Sequence, residues 1–347
     1  MNTHDQKSFS SALMLIRQSV GRGRVSSGIP THATGFPPSR ERRNLGFVNR
    51  LVAISISISA VTPLPAAAAL NIFTCEPEWA ALAQELGGDK VKVASATNAL
   101  QDVHRIEARP SLIARARNAD LLVCTGAELE IGWLPLLLSQ SGNRQIQPGQ
   151  PGFLEAAGVV TTIDVPQMLD RSQGDVHPAG NPHIHLDPRN IAKVGEALTA
   201  RLLQLDAANA VTYHARATAF QKKWLESTKK WEAQAAPLKG LAVVVHHKDL
   251  SYLLRWLGIR DVASLEPKPG VAPTTGHLSE LLAKLQREPA KMILRSAYSD
   301  PKAATWLSER ARLPVVTLPY TVGGNEQAKD LFGLFDDSIQ RLLAALK

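Results

Sequence analysis

From Asp187 to Gln234 the chain reads DPRNIAKVGEALTARLLQLDAANAVTYHARATAFQKKWLESTKKWEAQ, about fifty residues with almost no glycine and one proline, at the start. Asp187 followed by Pro188 is an N-cap and first-turn pair, and Leu, Ala and Val return at helical spacing. A break near Leu205 and Asp206 divides the stretch into two helices, the second long enough to cross between domains. Much of its surface is polar, so the lysine pairs at 222–223 and 229–230 read as a solvated face rather than a binding patch. Whatever folds on either side has this helical span as its connection.

On both sides the pattern is strand followed by helix. Before the span, short apolar runs at 71–75, 91–97, 121–126 and 159–165 read as strands. Helical periodicity in EWAALAQELGG, SLIARARNA and GWLPLLLSQSG falls between them. A loop containing Gly, Pro and His covers about 166–188. After Gly240 come LAVVVHH, VASLEP, KMILRS and PVVTLP as strands, alternating with four helices that end in LFGLFDDSIQRLLAALK. This is the rhythm of parallel α/β sheets. The predicted fold is α/β with two lobes, each a parallel sheet flanked by helices. An N-terminal lobe over 70–187 and a C-terminal lobe over 238–347 are joined by linking helices over 188–237.

The net charge of +8 suggests nucleic acid only until it is placed along the chain. Residues 1–69 hold 8 Lys+Arg against 2 Asp+Glu, which leaves 31 against 29 for the rest. The basic excess belongs to the leader, so a nucleic-acid partner is not expected. That leader has an internal order: basic RERRNLGFVNR, apolar LVAISISISAV, then LPAAAA. The layout, over 44–69, is that of a secretory signal peptide, with cleavage expected after Ala68 or Ala69. The apolar run is too short to span a membrane. Residues 1–43 are read as an extension outside the fold, either disordered or ahead of the true start.

Cys75 and Cys124 both lie in the exported part. They sit at or near the carboxyl ends of the first and third strands, which are neighbours in a doubly wound sheet of order 2-1-3. An oxidising compartment permits a disulfide between them; two buried thiols are the alternative. No CxxC spacing occurs, which argues against a redox or zinc-ribbon site.

Eight of the ten histidines fall between 104 and 277. His104 follows the strand at 91–97, His183 follows the one at 159–165, and His247 ends LAVVVHH. Ligands of parallel sheets bind beyond the carboxyl ends of strands, so the three converge on one cleft. Neutral imidazole suits borderline metals, and three give Zn²⁺ most of a tetrahedral shell. His185, two residues from His183, reads as wall rather than ligand.

At these residues the region 70–347 resembles the metal-binding solute-binding proteins of ABC importers, the cluster that takes up zinc and manganese. QDVHRIEARPS matches that family's D-P-H-x-Y/F-E-P-x-P segment through Asp102, His104, Glu107 and Pro110. ADLLVCTGAELEIGW, residues 119–133, matches ADLVV-x-x-G-x-x-x-E-x-W. NPHIHLDP matches D-P-H-x-W-L-D-P with Asn181 for Asp and His185 for Trp, and HKDLSYL places His247 on the third histidine. The resemblance implies two α/β lobes, a rigid linking helix and an ion held between them. It also implies capture outside the inner membrane and delivery to a permease. The sequence shows no spanning helix and no GxxxxGK[ST], so permease and ATPase are expected to be separate chains.

Two departures weaken the carboxylate content of the site. Pro319 in TLPYTVGG stands where the family often has an aspartate ligand, and Arg295 in KMILRSAYS where it has a glutamate. A shell poorer in oxygen favours Zn²⁺ over Mn²⁺. The fourth place is open to water or to an oxygen of Glu107, Glu266 or Glu326; His246 is a further candidate. His177, six residues before His183, lies in a loop that zinc-importing members lengthen and enrich in histidine. The expected protein is a monomeric zinc receptor of the periplasm, docking peripherally on its permease, with no catalytic residues. Cys75 lacks the small residues of a lipid-attachment site before it. Two alternatives are a secreted zinc hydrolase, weakened by the lack of HExxH, and a metal-sequestering protein or adhesin on the same fold.

Overall fold

The computed structural model describes residues 68–168 and 174–347. The extension, and all of the predicted signal peptide but Ala68 and Ala69, lie outside the described residues.

The N-terminal lobe is built from β1 (Leu70–Thr74), α1 (Pro77–Gly87), β2 (Val91–Ser95), α2 (Pro110–Arg117), β3 (Leu121–Cys124), α3 (Leu134–Ser141) and β4 (Phe153–Glu155). Its four strands are parallel in the order β2-β1-β3-β4. The C-terminal lobe repeats the plan with β5 (Ala242–Val245), α6 (Ser251–Leu257), β6 (Arg260–Ser264), α7 (Thr275–Arg287), β7 (Met292–Ser296), α8 (Lys302–Ala311), β8 (Val315–Leu318) and α9 (Leu331–Ala344). Its order is β6-β5-β7-β8. Strands covered by helices on both faces read as unbroken apolar runs. That is why all four residues of β3 and of β5 are buried.

The fourth strand differs from expectation: β4 is Phe153–Glu155, while 159–165 is irregular apart from one 3-10 turn over Ala156–Val159. Three residues are too few to show a period, and the β-branched run VVTTI serves another purpose. Ile163 N–H donates to the Tyr252 hydroxyl of α6 at 3.1 Å, and its carbonyl accepts from Asn181 N–H at 2.7 Å. The run is a brace between lobes rather than an edge of the sheet.

Between the lobes run α4 (Pro188–Leu205) and α5 (Ala210–Gln234), broken near Asp206 as the sequence predicts. Asp187 caps α4 by accepting from Arg189 N–H, with Pro188 in the first turn. At ~1.5 Å per residue α5 is long enough to touch both halves. Arg216 donates to the Glu85 carbonyl of α1, and Trp231 donates to Asp336 of α9. Phe220, Trp224 and Trp231 pack with Phe332 and Phe335 in one aromatic cluster. One buried apolar cluster runs through both lobes, and each lobe has a second cluster of its own.

Cys75 and Cys124 are joined in a disulfide with Cα atoms 4.7 Å apart, both fully buried. Just past β3 the chain turns at Gly126, φ +78°, where a side chain would strike Glu155. The turn brings Glu130 back to accept from Thr125 N–H and Gly126 N–H. Among the described residues no helix is long and apolar enough to cross a membrane.

Candidate metal centre

Three histidines arrive at the carboxyl ends of the sheets by three local devices. His104 sits in a 3-10 turn, Val103–Arg105, capped by Asp102, which accepts from both His104 N–H (3.0 Å) and its ring Nδ1–H (2.9 Å). His183 lies just ahead of the 3-10 turn Ile184–Leu186, its N–H bound by the Asn181 side chain. Asn181 in turn donates to the Lys248 carbonyl and so ties this loop to the other lobe. His247 follows β5 in extended conformation, after His246 N–H has made the last sheet bond, to Leu294.

One ring nitrogen from each of His104, His183 and His247 lies within 4.8 Å of the others. The ring centroids form a nearly equilateral triangle of 5.6, 5.6 and 6.0 Å. His183 is 2% exposed and His247 9%. Each Nδ1 is already engaged: His104 with Asp102, His247 with Glu266 at 2.6 Å, and His183 with the Tyr320 hydroxyl at 2.7 Å. An ionised carboxylate only accepts, so His104 and His247 carry their proton on Nδ1 and keep a lone pair on Nε2. Carboxylate or hydroxyl partners on the outer nitrogen are the usual way a protein orients a ligating imidazole.

Burial, with the charges of His104 and His247 behind it, holds the His183 imidazole well below its ordinary value and keeps it neutral. Burial also opposes charge on His247, but the Glu266 hydrogen bond and Asp249 outweigh it and raise that imidazole. At Asp102 burial is overcome by the hydrogen bond and charge of His104, and the carboxyl falls below its usual range.

His177 joins the cluster from the side. Its Nε2 is 3.3 Å from that of His104, and burial followed by the His104 charge pushes it down to about 4. The sequence left His177 as either an aid to capture or a bystander, because its loop is a short version of the one that zinc-importing members lengthen. Tyr320, which orients His183, went unnoticed because it is 137 positions away in a segment inspected only for its missing aspartate.

The remaining candidates fall elsewhere. Glu266 accepts from His247 and from Gly270 N–H, which makes it an orienting group. Glu107 and Glu326 are exposed and make no contact with the three rings; Glu326 lines a separate surface hollow with Gln340 and Asp336. His246 lines a neighbouring cavity and is held low by burial. It and His247 line that cavity together, but no ring nitrogen of His246 joins the group formed by the three. His185 is fully buried, its Nε2–H donating to the Tyr320 carbonyl (2.9 Å) and its Nδ1 3.1 Å from Glu78. Arg295 braces the loop after β7 by donating to the Ser299 carbonyl.

The family model for the zinc-uptake complex component A, periplasmic (ZnuA), matches residues 72–345. The iron-binding protein YfeA of Yersinia pestis is 25% identical over 183 residues, 52% of this chain and 54% of that one. The zinc-binding lipoprotein AdcA of Streptococcus pneumoniae is 22% identical over 246 residues, 70% of this chain and 48% of that one. The chain thus spans about half the length of these two relatives. A crystal structure of ZnuA has the same fold, with a TM-score of 0.68 at 20% identity, covering 80% of this chain and 100% of that chain. The chain belongs to the family of the zinc-uptake complex component A, periplasmic (ZnuA).

Proposed function

We propose that this chain captures Zn²⁺ between its lobes on Nε2 of His104, His183 and His247 and hands it to the permease of an ABC importer. The convergence of three ring nitrogens, each with its Nδ1 held by a partner, carries this reading. Nitrogen donors suit zinc, whereas manganese prefers oxygen, and no carboxylate joins the three rings among the described residues. A periplasmic location fits the leader and the Cys75–Cys124 bond, which an oxidising compartment preserves. Capture replaces hydration water with three imidazoles, and the ion then bridges segments of both lobes. That gives a permease one lobe arrangement to recognise. The ATPase is a separate chain, and the receptor acts as a monomer.

Elemental analysis of protein purified from periplasm, beside the His104→Ala, His183→Ala and His247→Ala variants, tests this. Stoichiometric zinc in the wild type and its loss from the combined variant is the expected result. Full zinc content in the combined variant overturns the assignment.

A further inference from the structure

Two cavities flank the three histidines, and the larger is oversized for an ion. It encloses about 580 Å³ beside His104 and His247. A water takes about 30 Å³, so an ion with one or two waters leaves most of the space unused, while cavities of ~300–1,000 Å³ hold small organic ligands. His246 is 7% exposed and lines the cavity next to His247. Leu278, Ala303 and Trp306 give the same cavity an apolar side.

We propose that the site takes zinc as a chelate with a small amino acid, whose carboxylate and amine complete the metal shell from within this cavity. The proposal rests on zinc being held by the three histidines. Those leave a fourth place open, and zinc accepts a fifth donor. Charge selects the class of chelator. Asp102, Asp175, Glu266 and Asp300 line the cavity with two cations, Arg105 beside Asp102 and Lys302 beside Asp300, an acidic excess. A zinc ion with one amino-carboxylate is net positive and fits that wall; a zinc tricarboxylate is net negative and is repelled. The amino acid's side chain meets Leu278 and Trp306.

Equilibrium dialysis of the full chain with Zn²⁺ and radiolabelled L-histidine, with radiolabelled citrate as the contrasting chelator, tests this. L-Histidine is expected to be retained in stoichiometric amount with zinc and not without it, and citrate is expected to be excluded. Ala303→Trp fills the cavity away from the three ligands. It is expected to keep its zinc, which reports that it has folded, and to lose L-histidine retention at least about tenfold. Ala272→Trp, on the loop ahead of α7, repeats the test from a different element. Zinc held without L-histidine overturns the co-ligand and leaves the three-histidine site standing, and so does zinc whose retention needs His177 instead. Retention of citrate in its place overturns the chemical class, and undiminished L-histidine in both filled variants overturns the cavity. Absence of zinc from the wild type overturns the proposed function itself.

Discussion

Tyr320 and His183, 137 positions apart, share a hydrogen bond of 2.7 Å between the phenol and Nδ1. Tyr320 lies just past β8 in the C-terminal lobe, and His183 on the loop that leads into α4, so the bond fixes one ring of the site from across the cleft. For Nε2 of His183 to meet a metal, Nδ1–H must donate to the phenolic oxygen. Tyr320→Phe removes that acceptor and leaves the packing ring in place. Zinc affinity, measured by competition with a chromophoric chelator, is expected to fall about 10–100-fold, the usual effect of losing an orienting partner. Unchanged affinity shows that packing alone orients the ring.

His185 predicts the opposite separation. It is fully buried against Glu78 of α1, whose other oxygen accepts from the Thr321 hydroxyl at 2.5 Å, and it donates to the Tyr320 carbonyl. His185→Ala removes the imidazole that donates to the Tyr320 carbonyl and leaves that buried acceptor unpaired, a loss of about 1–3 kcal/mol. Urea denaturation is the readout. Stoichiometric zinc is expected to survive in the folded fraction, because His185 stands outside the group of His104, His183 and His247.

Glu76 and Glu130 set the pH dependence of stability. Both are fully buried at the carboxyl ends of β1 and β3, where Glu76 accepts from Thr125 and Glu130 from Thr125 and Gly126. Burial, then their mutual repulsion, raises Glu76 well above its ordinary value, and burial raises Glu130 to about 7. A folded pKa above the unfolded one gives stability that is complete below the unfolded value, ~4.3. That stability is lost as pH rises through the folded value. The metal-free protein is therefore expected to lose stability from about pH 5 to pH 8, by up to about 1.4 kcal/mol per unit for each proton involved. Glu76→Gln can keep the Thr125 contacts and donate to Glu130, so its melting temperature is expected to vary less with pH over that interval. An identical slope in the variant removes the pair as the cause.

The Cys75–Cys124 bond closes a loop between neighbouring strands with a sequence separation of 49. Its loss in Cys75→Ser/Cys124→Ser is expected to cost about 2–5 kcal/mol in urea denaturation. Zinc stoichiometry at saturating metal is expected to be unchanged, because neither sulfur touches the three histidines. A large loss of zinc in the folded double variant contradicts that separation.

Much of the plan was legible along the chain because it rests on local physics. Apolar runs such as Leu121–Cys124 and Ala242–Val245 can only be central strands, and the proline-led helical starts at Pro77, Pro110 and Pro188 are written in two or three residues. Histidines just past those strands had to meet at the sheets' carboxyl ends. The fourth strand was misplaced because Phe153–Glu155 is too short to show a period, and VVTTI looks like a strand while acting as a brace.

The sequence by itself therefore determined the two α/β lobes and the break near Asp206, since each depends on neighbours within one turn or one strand. Only the tertiary structure decided which partner each Nδ1 meets, that Glu266 pairs with His247, and that His177 stands against His104. It also decided that Tyr320 holds His183 and that Thr321 reaches Glu78 across 243 positions. Those partners come from opposite lobes. Their meeting is set by how two sheets dock along α4 and α5, and no local pattern encodes that geometry.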